Sequence, residues 1–157
     1  MLKENSPLNL KNIPDGAPYR IAIVTAEWND EITSSLRRCC IETLLKYGVL
    51  SSGIVDISVP GTFELSTVSS VFAARKDIDA VICLGCVIQG ETRHFEFICN
   101  AVANGLTSAG ISSGKPVLFG VITADTLAQA KARSANDHNN KGYEAAISAL
   151  KMLDVLK

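Results

Sequence analysis

The chain has 157 residues, with 15 Lys and Arg against 16 Asp and Glu and 47% hydrophobic residues. A chain of this length buries a core without disulfides or a structural metal and fits one domain better than two. A formal net charge of -1 lacks the basic excess of a nucleic-acid binder, and no apolar run reaches the roughly 18 residues needed to cross a bilayer.

Met1 to Pro7 form no apolar signal-peptide core, so a cytoplasmic protein is expected. The cysteines agree: Cys39, Cys40, Cys83, Cys86 and Cys99 are an odd number set in apolar sequence, which suits buried thiols in a reducing compartment. Cys83-Leu-Gly-Cys86 has the redox spacing C-x-x-C, but it ends a strand-like run. Residues three apart on a strand face opposite ways, so packing is the expected role.

Residues 1–18 are polar, contain Pro7, Pro14, Pro18 and Gly16, and read as an arm ahead of a single domain over 19–157. The arm adds an edge strand, packs on a neighbour, or hangs as a loose tail. A buried strand is expected over 20–25 and a helix over 31–47, with Ile32, Leu36, Cys40 and Leu44 recurring at helical spacing. Gly48 stops it. A strand over 54–59 ends at Pro60-Gly61, and a helix follows over 62–75 on Phe63, Leu65, Val68, Val71 and Phe72. The third strand covers 80–84, and a helix over about 93–109 carries Phe97, Ile98, Val102 and Leu106. A fourth strand covers 116–122. Asp125 or Thr126 caps a short helix to about Ser134, and a last helix covers 140–156. This alternation predicts an α/β fold, a three-layer sandwich around a mostly parallel four-stranded sheet, with the arm as the candidate for an extra edge strand.

Open parallel sheets bind ligands at the carboxyl ends of their strands. Those ends hold the unusual residues here: Trp28, Asn29 and Asp30 after the first strand, Gly61, Thr62, Phe63 and Glu64 after the second, and Gly90-Glu-Thr-Arg-His94 after the third. Trp28 either covers an apolar edge or offers a stacking surface for a flat heterocycle. Pro60-Gly61 is a turn that also presents backbone N–H groups to a ligand. Glu64 suits a first helical turn whatever the function. Gly90 before a helix start, with Thr92 and Arg93, makes an anion site suited to phosphate. His94 beside it is either a packing residue or a proton carrier, and His138 reads as a solvated turn residue. Arg133 and Lys141 flank an Asn-rich turn, as helix-end charges or as phosphate ligands.

These residues together resemble the 6,7-dimethyl-8-ribityllumazine synthase family. The resemblance covers about 19–157 and rests on Val59-Pro-Gly-Thr-Phe-Glu-Leu65, Leu84-Gly-Cys-Val-Ile-Gln-Gly-Glu-Thr-Arg-His-Phe-Glu-Phe97, Phe119-Gly-Val-Ile-Thr123 and Asn140-Lys-Gly-Tyr-Glu-Ala-Ala146. It implies a flavodoxin-like fold and a cofactor-independent, metal-free transferase of riboflavin biosynthesis. The reaction joins 5-amino-6-(D-ribitylamino)uracil to 3,4-dihydroxy-2-butanone 4-phosphate and releases phosphate and water.

The resemblance also implies roles. Trp28, Asn29, Gly61, Thr62, Phe63, Glu64, Val87, Ile88, Phe119 and Lys141 would bind the pyrimidine and ribityl chain. Glu91, Thr92 and Arg133 would hold phosphate, and His94 would move protons. Phe119, Arg133 and Lys141 would come from the adjacent subunit of a homopentamer. A sixty-subunit shell and an association with riboflavin synthase are left open. Ser66, Ala132 and the Asn136-Asp-His-Asn turn depart from the pattern of many members. A flavin-binding module, an archaeal-type riboflavin synthase and a shell protein with a vestigial site are the rival readings. Loss of His94 and Arg133 would leave the first and the last intact.

Overall fold

The computed structural model describes residues 8–157. Four strands, β1 (Ile21–Ala26), β2 (Ile54–Val59), β3 (Ala80–Ile88) and β4 (Val117–Ala124), form one parallel sheet in the order β2-β1-β3-β4. Five α-helices connect and cover it: α1 (Asp30–Lys46), α2 (Leu65–Ala73), α3 (His94–Ser113), α4 (Leu127–Arg133) and α5 (Lys141–Val155).

Strand periodicity explains the three layers. In β1, Ile21 and Ile23 point into a core shared with Leu36, Leu44, Ala146 and Leu150, so α1 and α5 cover that face. Ala22 and Val24 point into a second core with Leu65, Val102 and Leu106, so α2 and α3 cover the other. All six residues of β1 are buried, as expected for a central strand of a parallel sheet. Cys83 and Cys86 fall in opposite cores. Their thiols are pushed up to about 12 and about 11 by burial, so the pair packs the interior and does not act as a dithiol.

Several boundaries differ from expectation. β3 runs on to Ile88, because β4 pairs with it as far as Ala124. The segment Thr62–Glu64 is a 3-10 turn that precedes α2. α3 continues to Ser113 and ends at Gly114, whose φ of 67 is the left-handed stop that favours glycine. Phe63, Val71 and Phe97, expected on the apolar faces of their helices, are 57%, 59% and 70% exposed.

Residues 8–18 form no strand and are not a loose tail. Gly16 N–H donates to Tyr47 O at 2.7 Å, Lys151 Nζ donates to Asn9 O, and Ile13 packs against the first core. The remainder of the arm, with Pro7, lies outside the described residues.

Candidate active site

The chain passes from β1 outward to β2 and then back across to β3, so the connections diverge between β1 and β3. Their carboxyl ends open a crevice there. It is a cavity of about 690 Å³ lined by Trp28, Asn29, Gly61, Thr62, Phe63, Glu64, Cys86, Val87, Ile88, His94 and Ile98.

Backbone bonds hold the first two loops in register. Glu27 N–H donates to Val59 O at 2.8 Å and Trp28 N–H to Pro60 O at 3.1 Å. Asn29 takes a left-handed conformation, φ 61 and ψ 49, which an Asn tolerates better than most residues. Its side chain donates to Cys86 O at 2.9 Å and so ties the start of α1 to the end of β3. Trp28 is 73% exposed and joins neither core among the described residues. Gly61 lies against it: a Cβ there would stand 3.2 Å from Trp28 Cδ1 and 3.0 Å from Glu64 Oε2.

Thr62 supplies the site's orphan polar group. Its hydroxyl is buried and has no hydrogen-bond partner among the described residues. Gly85 makes room for it, since a Cβ at that position would come within 2.7 Å of Thr62 Oγ1. A buried hydroxyl without a partner carries a desolvation cost.

His94 begins α3 and faces the same cavity, where the positive end of the helix dipole lies. Thr92 Oγ1 accepts from His94 N–H at 3.4 Å, and Gln89 Nε2 donates to Gly90 O at 2.8 Å. Glu91 and Thr92 are exposed in the loop leading to His94 and do not line the cavity.

The other expected residues gather elsewhere. Phe119 and Lys141 line a second cavity of about 230 Å³ with Leu8, Leu118, Glu144, Ala145 and Ser148. Arg133 joins them through Glu144, whose Oε1 accepts from Arg133 at 2.9 Å while Oε2 accepts from Lys141 at 3.2 Å. No described residue lines both cavities. His138 is exposed and sets its ring edge-on to Tyr143 at 5.1 Å.

The sequence reading missed Glu144 and Ile98, and it gave Cys86 only a packing role. Glu144 in the first turn of α5 looks like an ordinary dipole-favoured acid, and only its spacing of three from Lys141 hinted at an ion pair.

The family model described as 6,7-dimethyl-8-ribityllumazine synthase matches residues 18–157. Three proteins bearing that name are similar over nearly their whole lengths. The one from Cytophaga hutchinsonii is 55% identical over 141 residues, 90% of this chain and 89% of the relative. The one from Porphyromonas gingivalis is 45% identical, covering 94% and 91%, and the one from Parabacteroides distasonis 41%, covering 95% and 93%. With this extent of match behind the fold and the crevice, the chain belongs to the 6,7-dimethyl-8-ribityllumazine synthase family.

Proposed function

We propose that the 690 Å³ crevice is the pyrimidine half of a lumazine synthase active site that an adjacent subunit completes. The activity is the condensation of 5-amino-6-(D-ribitylamino)uracil with 3,4-dihydroxy-2-butanone 4-phosphate to give 6,7-dimethyl-8-ribityllumazine, phosphate and water. The observation that carries the site assignment is the meeting of Trp28, the 61–64 segment and His94 around one cavity at the carboxyl ends of the strands.

Trp28 stacks on the heterocycle, an amphipathic ring offering area with little rotamer loss. Gly61, Thr62, Phe63, Glu64, Val87 and Ile88 bind the pyrimidine edge and ribityl chain, with Asn29 beside them. Glu91 and Thr92 border the phosphate. The 5-amino group attacks the ketone and one water leaves to form an imine, phosphate is eliminated, and the ribitylamino nitrogen closes the second ring on the carbonyl so formed with loss of a second water. Each stage moves protons near neutral pH, the range in which an imidazole works, and His94 is the group at the cavity that carries them. Much of the acceleration comes from holding two substrates in register.

Phe119, Lys141 and Arg133 serve the neighbour's crevice. Their separation from the first cavity supports this, as does an unpartnered stripe on α3. Phe97, Ala101, Ser108 and Ile111 recur along one exposed face with the polar Asn104 among them, a face that suits burial against a second helix. Membership of the family supports a homopentamer. The five free cysteines support a reducing, cytoplasmic location.

Phosphate release and lumazine absorbance, followed together on the purified protein, test the activity. Equal appearance of both, requiring both substrates, is expected. Tight pyrimidine binding without turnover would instead favour a binding module.

A further inference from the structure

We propose that Glu144 is a positioning residue: it fixes the spacing between the Arg133 guanidinium and the Lys141 ammonium, and through them the register of the phosphate-bearing substrate against the pyrimidine. The inference rests on the roles given above to Arg133 and Lys141 and supplies the support they share.

Arg133 ends α4 and Lys141 begins α5. The turn between them is largely exposed at Asn136, Asp137 and His138 and offers little packing to hold either cation. Glu144 is the carboxylate both cations reach, at 2.9 Å and 3.2 Å. Its side chain is 10% exposed, against 43% for Arg133 and 31% for Lys141, so the anion is the anchor and the cations are the groups that reach outward.

The anchor is itself fixed. Glu144 N–H donates to Asn140 O at 3.1 Å. Asn140 is fully buried; its side chain donates to Ser134 O and Ala135 O and accepts from Gly142 N–H. These bonds clamp the end of α4 to the start of α5.

Two cations against one carboxylate leave a net positive charge for a phosphate. Arg133 contacts Glu144 through one terminal nitrogen, and its other donors remain for a second anion. Without the carboxylate, two like charges repel and both long side chains regain rotamer freedom.

Steady-state kinetics on the assembled protein test this with Glu144→Gln, which keeps the volume and removes the charge. The KM for the phosphate-bearing substrate is expected to rise about tenfold, the usual scale of one lost charged hydrogen bond, and kcat to fall with it, at an unchanged melting temperature. In an Arg133→Ala background the same change should add less to that KM than it does in the wild type, since one of the two cations it positions is gone. Parameters within about twofold of wild type, or an equal penalty in both backgrounds, would overturn the proposal.

Calorimetric titration with inorganic phosphate reads the same loss without turnover. A wild type that makes no lumazine would therefore sink the functional reading alone, while unchanged phosphate affinity in Glu144→Gln would sink this one. If the Gln variant does not assemble, Glu144→Asp keeps the charge, withdraws it by one methylene, and is judged by the same outcomes.

Discussion

His94 sits at the mouth of a cavity whose other walls do not depend on it: Trp28, Gly61, Thr62 and Val87 are held by backbone pairing and sheet packing. On the role proposed for it, removing the imidazole leaves substrate positioning intact and deletes the proton carrier, an effect typically worth about 10²- to 10⁴-fold. His94→Ala is expected to slow turnover within that range while the pyrimidine binds normally, and a single-turnover assay with a binding titration separates the two. Arg133→Ala should do the opposite, raising the KM of the phosphate substrate more than it lowers kcat. Cys86 also lines the cavity, but burial holds its thiol up at about 11. Iodoacetamide near pH 8 is expected to leave activity unchanged over the time that a free thiol reacts, as a residual-activity assay would show. At this scale the sequence was legible wherever a residue type is odd for its place, as with Trp28 in a loop or His94 after a glycine. It was silent on Glu144, because an acid in a first helical turn looks the same whether solvent or two cations surround it.

The helices that carry the second cluster are held by short-range devices. α4 has seven residues, too few to persist without tertiary support. Thr126 Oγ1 accepts from Gln129 N–H while Gln129 Oε1 accepts from Thr126 N–H, a reciprocal cap that the candidate Thr126 had suggested. Thr126→Ala is expected to cost about 1 kcal/mol and to raise the phosphate-substrate KM, because Arg133 rides on the far end of the same helix. α5 meets α1 backbone to backbone at Gly142, where a Cβ would come within 2.0 Å of Leu36 O. No rotamer relieves such a contact, so Gly142→Ala should destabilise by about 3 kcal/mol, read as a lowered denaturant midpoint at fixed protein concentration. Gly105 instead lets α3 pack on a side chain of α2, where a Cβ would stand 2.3 Å from Ser66 Oγ. That contact gives Ser66 a packing reason in this chain. Strands were legible as apolar runs, whereas the ends of β3 and α3 were not: β3 stops where β4 stops pairing with it, and α3 persists through small residues until a left-handed glycine.

For the whole molecule, the division of the expected site residues between two cavities makes one demand. If each active site takes His94 from one subunit and Arg133 from its neighbour, two variants crippled at different residues repair each other when they share an assembly. Consider His94→Ala and Arg133→Ala chains co-assembled in equal amounts. A site is intact when its crevice comes from an Arg133→Ala chain and its cationic cluster from a His94→Ala chain. Each condition holds half the time in a closed ring of identical, head-to-tail contacts, so about one quarter of the sites regain wild-type composition. Assayed with the phosphate-bearing substrate well below the KM of Arg133→Ala, where both parents are nearly inactive, turnover of the mixed assembly should then exceed the mean of the two parent assemblies and approach about a quarter of wild type, while the parents mixed without subunit exchange stay at their mean. Sedimentation velocity on the same samples should show one species of pentamer size or a multiple of it. Activity that never rises above the parental mean, in an assembly shown to contain both chains, would place a complete site within each subunit. It would leave the cavity at Phe119 and Lys141 without the role proposed for it.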